Sequence, residues 1–434
     1  MTRFRGWIGA LVAGFGLLSL GVAGPALAQL SERQWLPAGS RLEGALSRRP
    51  AEPRRGGGTW QVKLGELAFL APQTLGGKAR RLGLSCAACH PGGGANTDFF
   101  LPGLSDKPGN VDMTGDLFDP RGDDGVFNPV NIPALHGVYA TAPYGHDGAF
   151  GDLRAFSRHV IVDEFLGSEP PGWLLDALAA YLRDLDISRA IRLDARGRLP
   201  ADIPSAVRRG ETLFHRPFDG AAGPSCATCH QPRQAFTDRQ RHDLGEGRLV
   251  DTPSLYGLTA SAPYFHDGRF DDLDQVLAHF EARFRFRLTA PERRDLRAYL
   301  THIGRPLPVE TVSLEGDLER VLRLKEVLAA WDRADAAAPV GFAASVLRHL
   351  LGRIAERFPG RDGERARAAL VAWSTALRDF ARALEAGREF ETRDRFATMQ
   401  RELPDWLRRI RADEALSLYR PQHLRRALAP GNQG

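Results

Sequence analysis

Apolar residues recur at helical spacing along most of this chain, and no long stretch alternates with the period of two that a strand would show. Leu174, Leu178, Tyr181, Leu182 and Leu185 mark one face of a helix that packs on a core. Thr289, Pro291 and Glu292 open another, as a capping box with proline in the first turn. From about Val309 the pattern becomes arginine- and alanine-rich and amphipathic, as in Leu318 to Ala336 and Glu364 to Leu384. Gly360, Gly363 and Pro404 punctuate it, so roughly three to five helices are expected, forming a bundle or packing on the preceding domains. The expected fold class is all-α.

One apolar run does not fit an amphipathic pattern. Trp7 to Ala23 is almost continuously apolar, Arg3 and Arg5 precede it, and Ala26-Leu27-Ala28 offers a small-x-small cleavage site. Residues 1–28 therefore read as a secretory signal peptide, with an uncleaved anchor as the rival; the run is short for a membrane span. The expectation is an exported, periplasmic protein with no membrane span after cleavage.

The remaining pattern occurs twice. Gly65-Glu-Leu-Ala-Phe-Leu-Ala-Pro72 matches Gly210-Glu-Thr-Leu-Phe-His-Arg-Pro217, and each leads through a glycine-containing loop to a cysteine pair. Ile132-Pro-Ala-Leu-His-Gly137 and Thr252-Pro-Ser-Leu-Tyr-Gly257 follow, then the turns APYGHDGAF (Ala142 to Phe150) and APYFHDGRF (Ala262 to Phe270), then helices carrying His159 and His279. We read a signal peptide, a first unit over 29–200, a second over 201–308 and a helical C-terminal extension over 309–434. The first unit holds about 20 extra residues, placed near Ser105 to Asn128 in a loop rich in Asp, Gly and Pro. Its acids Asp112, Asp116, Asp119, Asp123 and Asp124 raise the possibility of calcium, yet they lack EF-hand spacing, and a solvated loop is the plainer account.

Charge and cysteines narrow the chemistry. The net charge of +5 is spread along the chain with acids interleaved, and no basic stripe points to nucleic acid. All four cysteines fall in Cys86-Ala-Ala-Cys89-His90 and Cys226-Ala-Thr-Cys229-His230. Two thiols three residues apart can add to the two vinyl groups of one haem while the next histidine lies under the iron. Zinc requires no histidine directly after each pair, and a redox CxxC expects a βαβ setting that is absent. Two covalently bound haem c groups, with His90 and His230 as proximal ligands, are expected. Each unit then reads as a cytochrome c-like domain.

These residues, with Ser225 to Asp238 (SCATCHQPRQAFTD), TPSLYG and APYFHDG, resemble the bacterial di-haem cytochrome c peroxidases and their relative, the methylamine-dehydrogenase maturation enzyme. The likeness covers about residues 62 to 304, and the second unit is closer to the pattern than the first. It implies two helical haem domains facing each other, one haem reacting with peroxide and the other relaying electrons. It places Glu164 near the family's distal acid, and His242 at a position like that of a removable sixth ligand. His146 stands where relatives usually carry a tryptophan between the haems, whereas His266 is the expected residue. Met113 is the other candidate sixth ligand, although a loop-packing role competes with it, as turn or propionate bonding competes for His242. For His159 and His279, core or propionate contacts suffice. The expected activity is reduction of hydrogen peroxide with electrons from a small redox protein, a cytochrome or cupredoxin. A non-enzymatic di-haem electron carrier and a di-haem oxidase of a protein or organic substrate are the alternatives.

Overall fold

The computed structural model describes residues 47–52, 54–56, 58–115, 123–187, 191–218, 223–305 and 307–428. The signal peptide assigned to residues 1–28 lies outside them, as do Asp116 and Asp119. The fold is mostly helical, as expected, but not purely so. Among the described residues three short antiparallel ladders occur: Arg48–Pro50 with Val309–Thr311, Asn110–Val111 with Val130–Asn131, and Arg241–Asp243 with Leu249–Asp251. Strands of two or three residues are too short to leave an alternating signature.

The same helix pair appears twice. Trp60–Leu70 crosses Gly172–Asp184, and Ser205–Phe214 crosses Ala290–Ile303. The crossing point explains the repeated glycine. A Cβ on Gly65 would lie 1.9 Å from the Ala177 carbonyl oxygen, and one on Gly210 would lie 2.0 Å from that of Asp295. Only glycine permits that approach. The face predicted from Leu174 to Leu185 is buried throughout, and the capping box at Thr289 is formed, with Glu292 Oε2 accepting from the Thr289 N–H at 2.9 Å.

What differs is the outer face of the two opening helices. Trp60–Leu70 is apolar nearly all round, which is the mark of a helix buried on both sides. One side, with Ala68 and Phe69, joins the first unit's core, and the other, with Leu64 and Leu67, joins the core of the C-terminal helices. In Ser205–Phe214 the positions matching Leu64, Leu67 and Ala71 are Arg209, Thr212 and, just past the helix end, Arg216. Burying each leucine contributes about 1.5–3 kcal/mol, a gain those polar residues do not offer. Accordingly Arg209 pairs with Asp295 and the face stays solvated.

The C-terminal region has five α-helices among the described residues: Leu314–Lys325, Ala337–Ala355, Glu364–Glu385, Glu389–Ala412 and Pro421–Leu428. Pro404 was expected to end a helix, yet Glu389–Ala412 runs through it. Trp406 and Ile410 beyond it are buried in the same core as Met399 and Leu403 before it, so packing on both sides offsets the missing backbone donor. The extra residues of the first unit are also not one insertion. His90 precedes Asn110 by 20 residues, against 11 from His230 to Arg241; Asn110 and its partner Asn131 are 21 apart, against 10 for Arg241 and Asp251. Ile191, Leu193 and Leu199 pack on the second core, which thus reaches back past the boundary set at 200.

A buried ion cluster ties the C-terminal helices to the first unit. The Glu66 carboxylate, fully buried, accepts from Arg54 Nη2 at 2.7 Å, Arg320 Nε at 2.8 Å and both terminal nitrogens of Arg323 at 2.7 Å. Glu52 shares Arg54 and Arg320. Burial alone would raise the Glu66 pKa; Arg320, Arg323 and Arg54 outweigh it and bring the group down to about 2. Removing one partner from such a buried cluster costs about 3–5 kcal/mol. Glu66→Ala is expected to lose stability of that order in urea unfolding. Because the folded pKa is depressed from 4.5, Glu66 adds stability above the unfolded value that is lost as pH falls towards 2, and the variant should lack this part of the acid limb.

Candidate functional site

Each cysteine pair occupies a single helical turn, Cys86–Cys89 and Cys226–Cys229, so residues three apart face the same side. All four are free thiols. The following histidine leaves the helix, while its N–H still bonds the first cysteine's carbonyl, at 2.8 Å for His90 and 2.9 Å for His230. His90 Nδ1 lies 2.9 Å from the Pro133 carbonyl oxygen, and His230 Nδ1 3.1 Å from that of Phe236. An imidazole that donates from Nδ1 to a backbone carbonyl has its orientation fixed and keeps a lone pair on Nε2 for a metal. Burial lowers both histidines, His90 to about 4, so both rings are neutral at pH 7. Burial also pushes the Cys86, Cys89 and Cys226 thiols up to about 12 and Cys229 to about 11, the opposite of a reactive redox pair. Paired free thiols on one face, an adjacent neutral Nε2 donor and apolar packing of Cys86, Cys89 and Cys226 fit covalent haem.

The two His-Asp-Gly turns meet where the units touch. The Asn131 N–H donates to the His266 carbonyl oxygen at 3.0 Å, and the Asp251 N–H donates to that of His146, also at 3.0 Å. Both partners lie on the short ladders, at matching positions in the two units. Burial, then the nearby His266, bring the His146 ring down to about 4. Burial and then Arg248 lower His266. Its Nε2 is 3.4 Å from Glu246, and its Nδ1 is buried without a hydrogen-bond partner. Close packing holds the seam: a Cβ on Gly109, at φ +90°, would lie 2.5 Å from Pro263 Cδ across it. Asp251, buried beside Asp238 and Asp147 with Oδ1 unpartnered, is raised to about 7, mainly by burial.

The remaining candidates separate. Glu164 ends a π-helical turn, Val160–Glu164, and its charge contributes, after burial and Cys86, to raising the Cys89 thiol. Its own pKa is raised, chiefly by burial, with His159 opposing and Asp163 reinforcing. His242 Nε2 bonds Asp238 Oδ2 at 2.7 Å, and Cys229, Asp238 and His242 have donor atoms within 4.8 Å of one another. Because it includes Cys229, that trio lies at the edge of the second cysteine motif. Met113 packs on the first core. The described loop acids are engaged locally: Asp112 caps Thr114 and accepts from the Asn128 N–H, and Asp123 and Asp124 cap the next turn. Among the described residues they form no cluster for calcium, and no helix is long and apolar enough to cross a membrane.

Sequence reasoning missed Asp163. His159 Nδ1 lies 2.9 Å from Asp163 Oδ2, and its Nε2 is 3.7 Å from Glu164 Oε1. The spacing of four was a usable signal; the spacing of five was not, because it requires the π turn. At the matching positions of the second unit stand Arg283 and Phe284, so His279 has no carboxylate neighbour there.

At each cysteine motif the paired thiols and the following histidine fit the chemistry of a c-type haem. Residues 204–294 match the family model described as di-haem cytochrome c peroxidase, a family for which haem c is the implied cofactor. The hydrazine synthase gamma subunit of Kuenenia stuttgartiensis is 25% identical, the match covering 42% of this chain and 60% of that protein. Methylamine utilization protein MauG of Methylorubrum extorquens is 34% identical over 23% of this chain and 34% of its own length. The chain thus spans less than two thirds of either relative. Two solved structures are also similar, each at a TM-score of 0.38: Kuenenia stuttgartiensis hydrazine synthase, 20% identical and covering 69% of this chain and all of that one, and a MauG-like protein associated with microbial copper homeostasis, 16% identical and covering 60% and 94%.

If each motif holds one haem, Cys86→Ala with Cys89→Ala halves the covalent haem per chain, measured as pyridine haemochrome on denatured protein. An unchanged ratio would exclude the first motif as an attachment site.

Proposed function

We propose that the protein is an exported, periplasmic di-haem oxidoreductase in two cytochrome c-like domains, which reduces hydrogen peroxide at its first unit and stores and relays electrons at its second. The observation that carries this reading is the inequality of equivalent positions. The first unit brings His159, Asp163 and Glu164 together, and the Glu164 charge is felt at the Cys89 thiol. The second sets Arg283 and Phe284 in the same places, with His279 between the rings of Phe265 and Phe270, centroids at 4.8 and 5.4 Å. Reduction of one hydrogen peroxide to two waters consumes two electrons and two protons, so the reacting site needs a proton donor and the relay site does not. Bound haem supplies the redox chemistry that divides the oxygen–oxygen bond.

The chain's own part is protonic and positional. Glu164, raised by burial, holds a proton closer to neutral pH than an exposed glutamate and offers it to the departing oxygen. His90 and His230 present neutral Nε2 donors held from behind by backbone carbonyls. Electrons from a small donor protein, cytochrome or cupredoxin, enter the second unit and cross at the seam formed by the His146 and His266 turns. The aromatic lining of the second unit favours electron transfer without bond chemistry.

Optical and EPR spectra of the oxidised and half-reduced protein test this. One haem should show a high-spin form that reacts with peroxide, and Glu164→Gln should cut peroxide turnover by about 10²–10⁴-fold with that form retained. Two low-spin haems in every redox state would overturn the reading in favour of an electron carrier.

A further inference from the structure

The trio at the first unit forms a line from solvent to the reacting site. Side-chain exposure falls along it, from 50% at Asp163 to 35% at His159 and 27% at Glu164. Two local features hold it. The Phe150 ring, closing the first His-Asp-Gly turn, packs against the His159 imidazole with centroids 4.7 Å apart. The backbone then widens: the Phe165 N–H bonds the Val160 carbonyl, five residues back, at 3.1 Å. In an α-helix residues five apart point about 140° away from each other. The wider turn instead brings Glu164 under His159. Such turns are frequent at functional sites. In the second unit the helix stays α-helical to Phe284, and His279 keeps a buried, unpartnered Nε2.

We propose that His159 is a proton-relay residue that recharges Glu164 between turnovers, with Asp163 holding its ring. This rests on the reading of Glu164 as the acid of the first site. When Glu164 has given its proton to the oxygen of peroxide, the His159 imidazolium passes its Nε2 proton to the Glu164 carboxylate. The neutral ring then regains a proton from water at its exposed edge. Asp163, on Nδ1, fixes the orientation of the ring. The 3.7 Å between Nε2 and Oε1 is closed by rotation of the Glu164 side chain or by one bridging water. The other groups facing the trio are Arg158, whose Nη1 is 4.0 Å from Asp163 while its Nη2 pairs with Glu169, and the Cys89 sulfur on the Glu164 side.

His159→Gln keeps a hydrogen-bonding side chain but cannot carry the proton. Peroxide turnover should fall about 10- to 100-fold, with an unchanged haem spectrum and spin state, a larger solvent deuterium isotope effect, and recovery as phosphate buffer is raised at fixed ionic strength. Glu164→Gln should lose rate without any phosphate recovery. A His159→Gln enzyme with wild-type rate and isotope effect, beside a slow Glu164→Gln, overturns the relay alone. Wild-type rates in both overturn the role of Glu164 and the relay with it. A readout free of turnover is the carboxyl infrared band lost in Glu164→Gln: because a positive His159 lowers the Glu164 pKa, His159→Gln should raise that band's midpoint pH, and an unmoved midpoint overturns the pairing.

Discussion

Two backbone hydrogen bonds set the geometry on which both sites depend. Each unit lends the N–H of a short ladder residue, Asn131 or Asp251, to the histidine carbonyl of the other unit's turn. The exchange is reciprocal, so neither turn can shift without disturbing the opposite ladder. Those same turns end in Phe150 and Phe270, which pack on His159 and His279. The seam, the turn and the helix beside each cysteine motif therefore form one mechanical chain in each unit. Side-chain bonds at the seam are few and partly screened, as with Lys107 and Asp271 at 2.9 Å. Backbone pairing and the clearance at Gly109 do most of the positioning.

Among the described residues the C-terminal helices pack on the first unit, for reasons visible at matched positions. Gly65-Glu66 and Gly210-Glu211 are the same pair in the same helix, and both glutamates are buried. Glu211 is satisfied within its own unit, by Arg208 and by the Leu199 N–H at 2.8 Å. Glu66 is instead satisfied by Arg54 together with Arg320 and Arg323, which arrive from about 250 residues away along the chain. A buried carboxylate without partners is costly, so the first unit requires the extension where the second does not. Leu64 and Leu67 then add apolar area to a contact whose register the ion cluster sets.

Local signals carried over well from sequence to structure. The capping box at Thr289 and the buried face from Leu174 to Leu185 each lie within a few residues, and the structure holds them as read. The failures share a cause, which is that the deciding partner was distant or the period changed. Pro404 reads as a breaker until Trp406 and Met399 are seen to share a core. The extra residues of the first unit read as one loop until the ladder fixes which residues correspond. Glu164 and His159 were each noticed, yet a period of 3.6 puts them on different faces, and only the π turn unites them. Arg320 looked like one more surface arginine among many, because nothing near it in the chain announces Glu66.

Two copies of one scaffold need few changes to take up unlike work. With cysteine, histidine and turn geometry held in common, the chemical difference lies in what surrounds each site. In the first unit a carboxyl, Glu164, has its pKa raised, chiefly by burial. Phenylalanine at the equivalent place, Phe284, stacks on Phe280 and Phe218 and offers no proton. The pair Asp163 and Glu164 against Arg283 and Phe284 therefore distinguishes the two units more sharply than the His146 and His266 turns, which are alike in sequence, in backbone pairing and in their lowered imidazole pKa values.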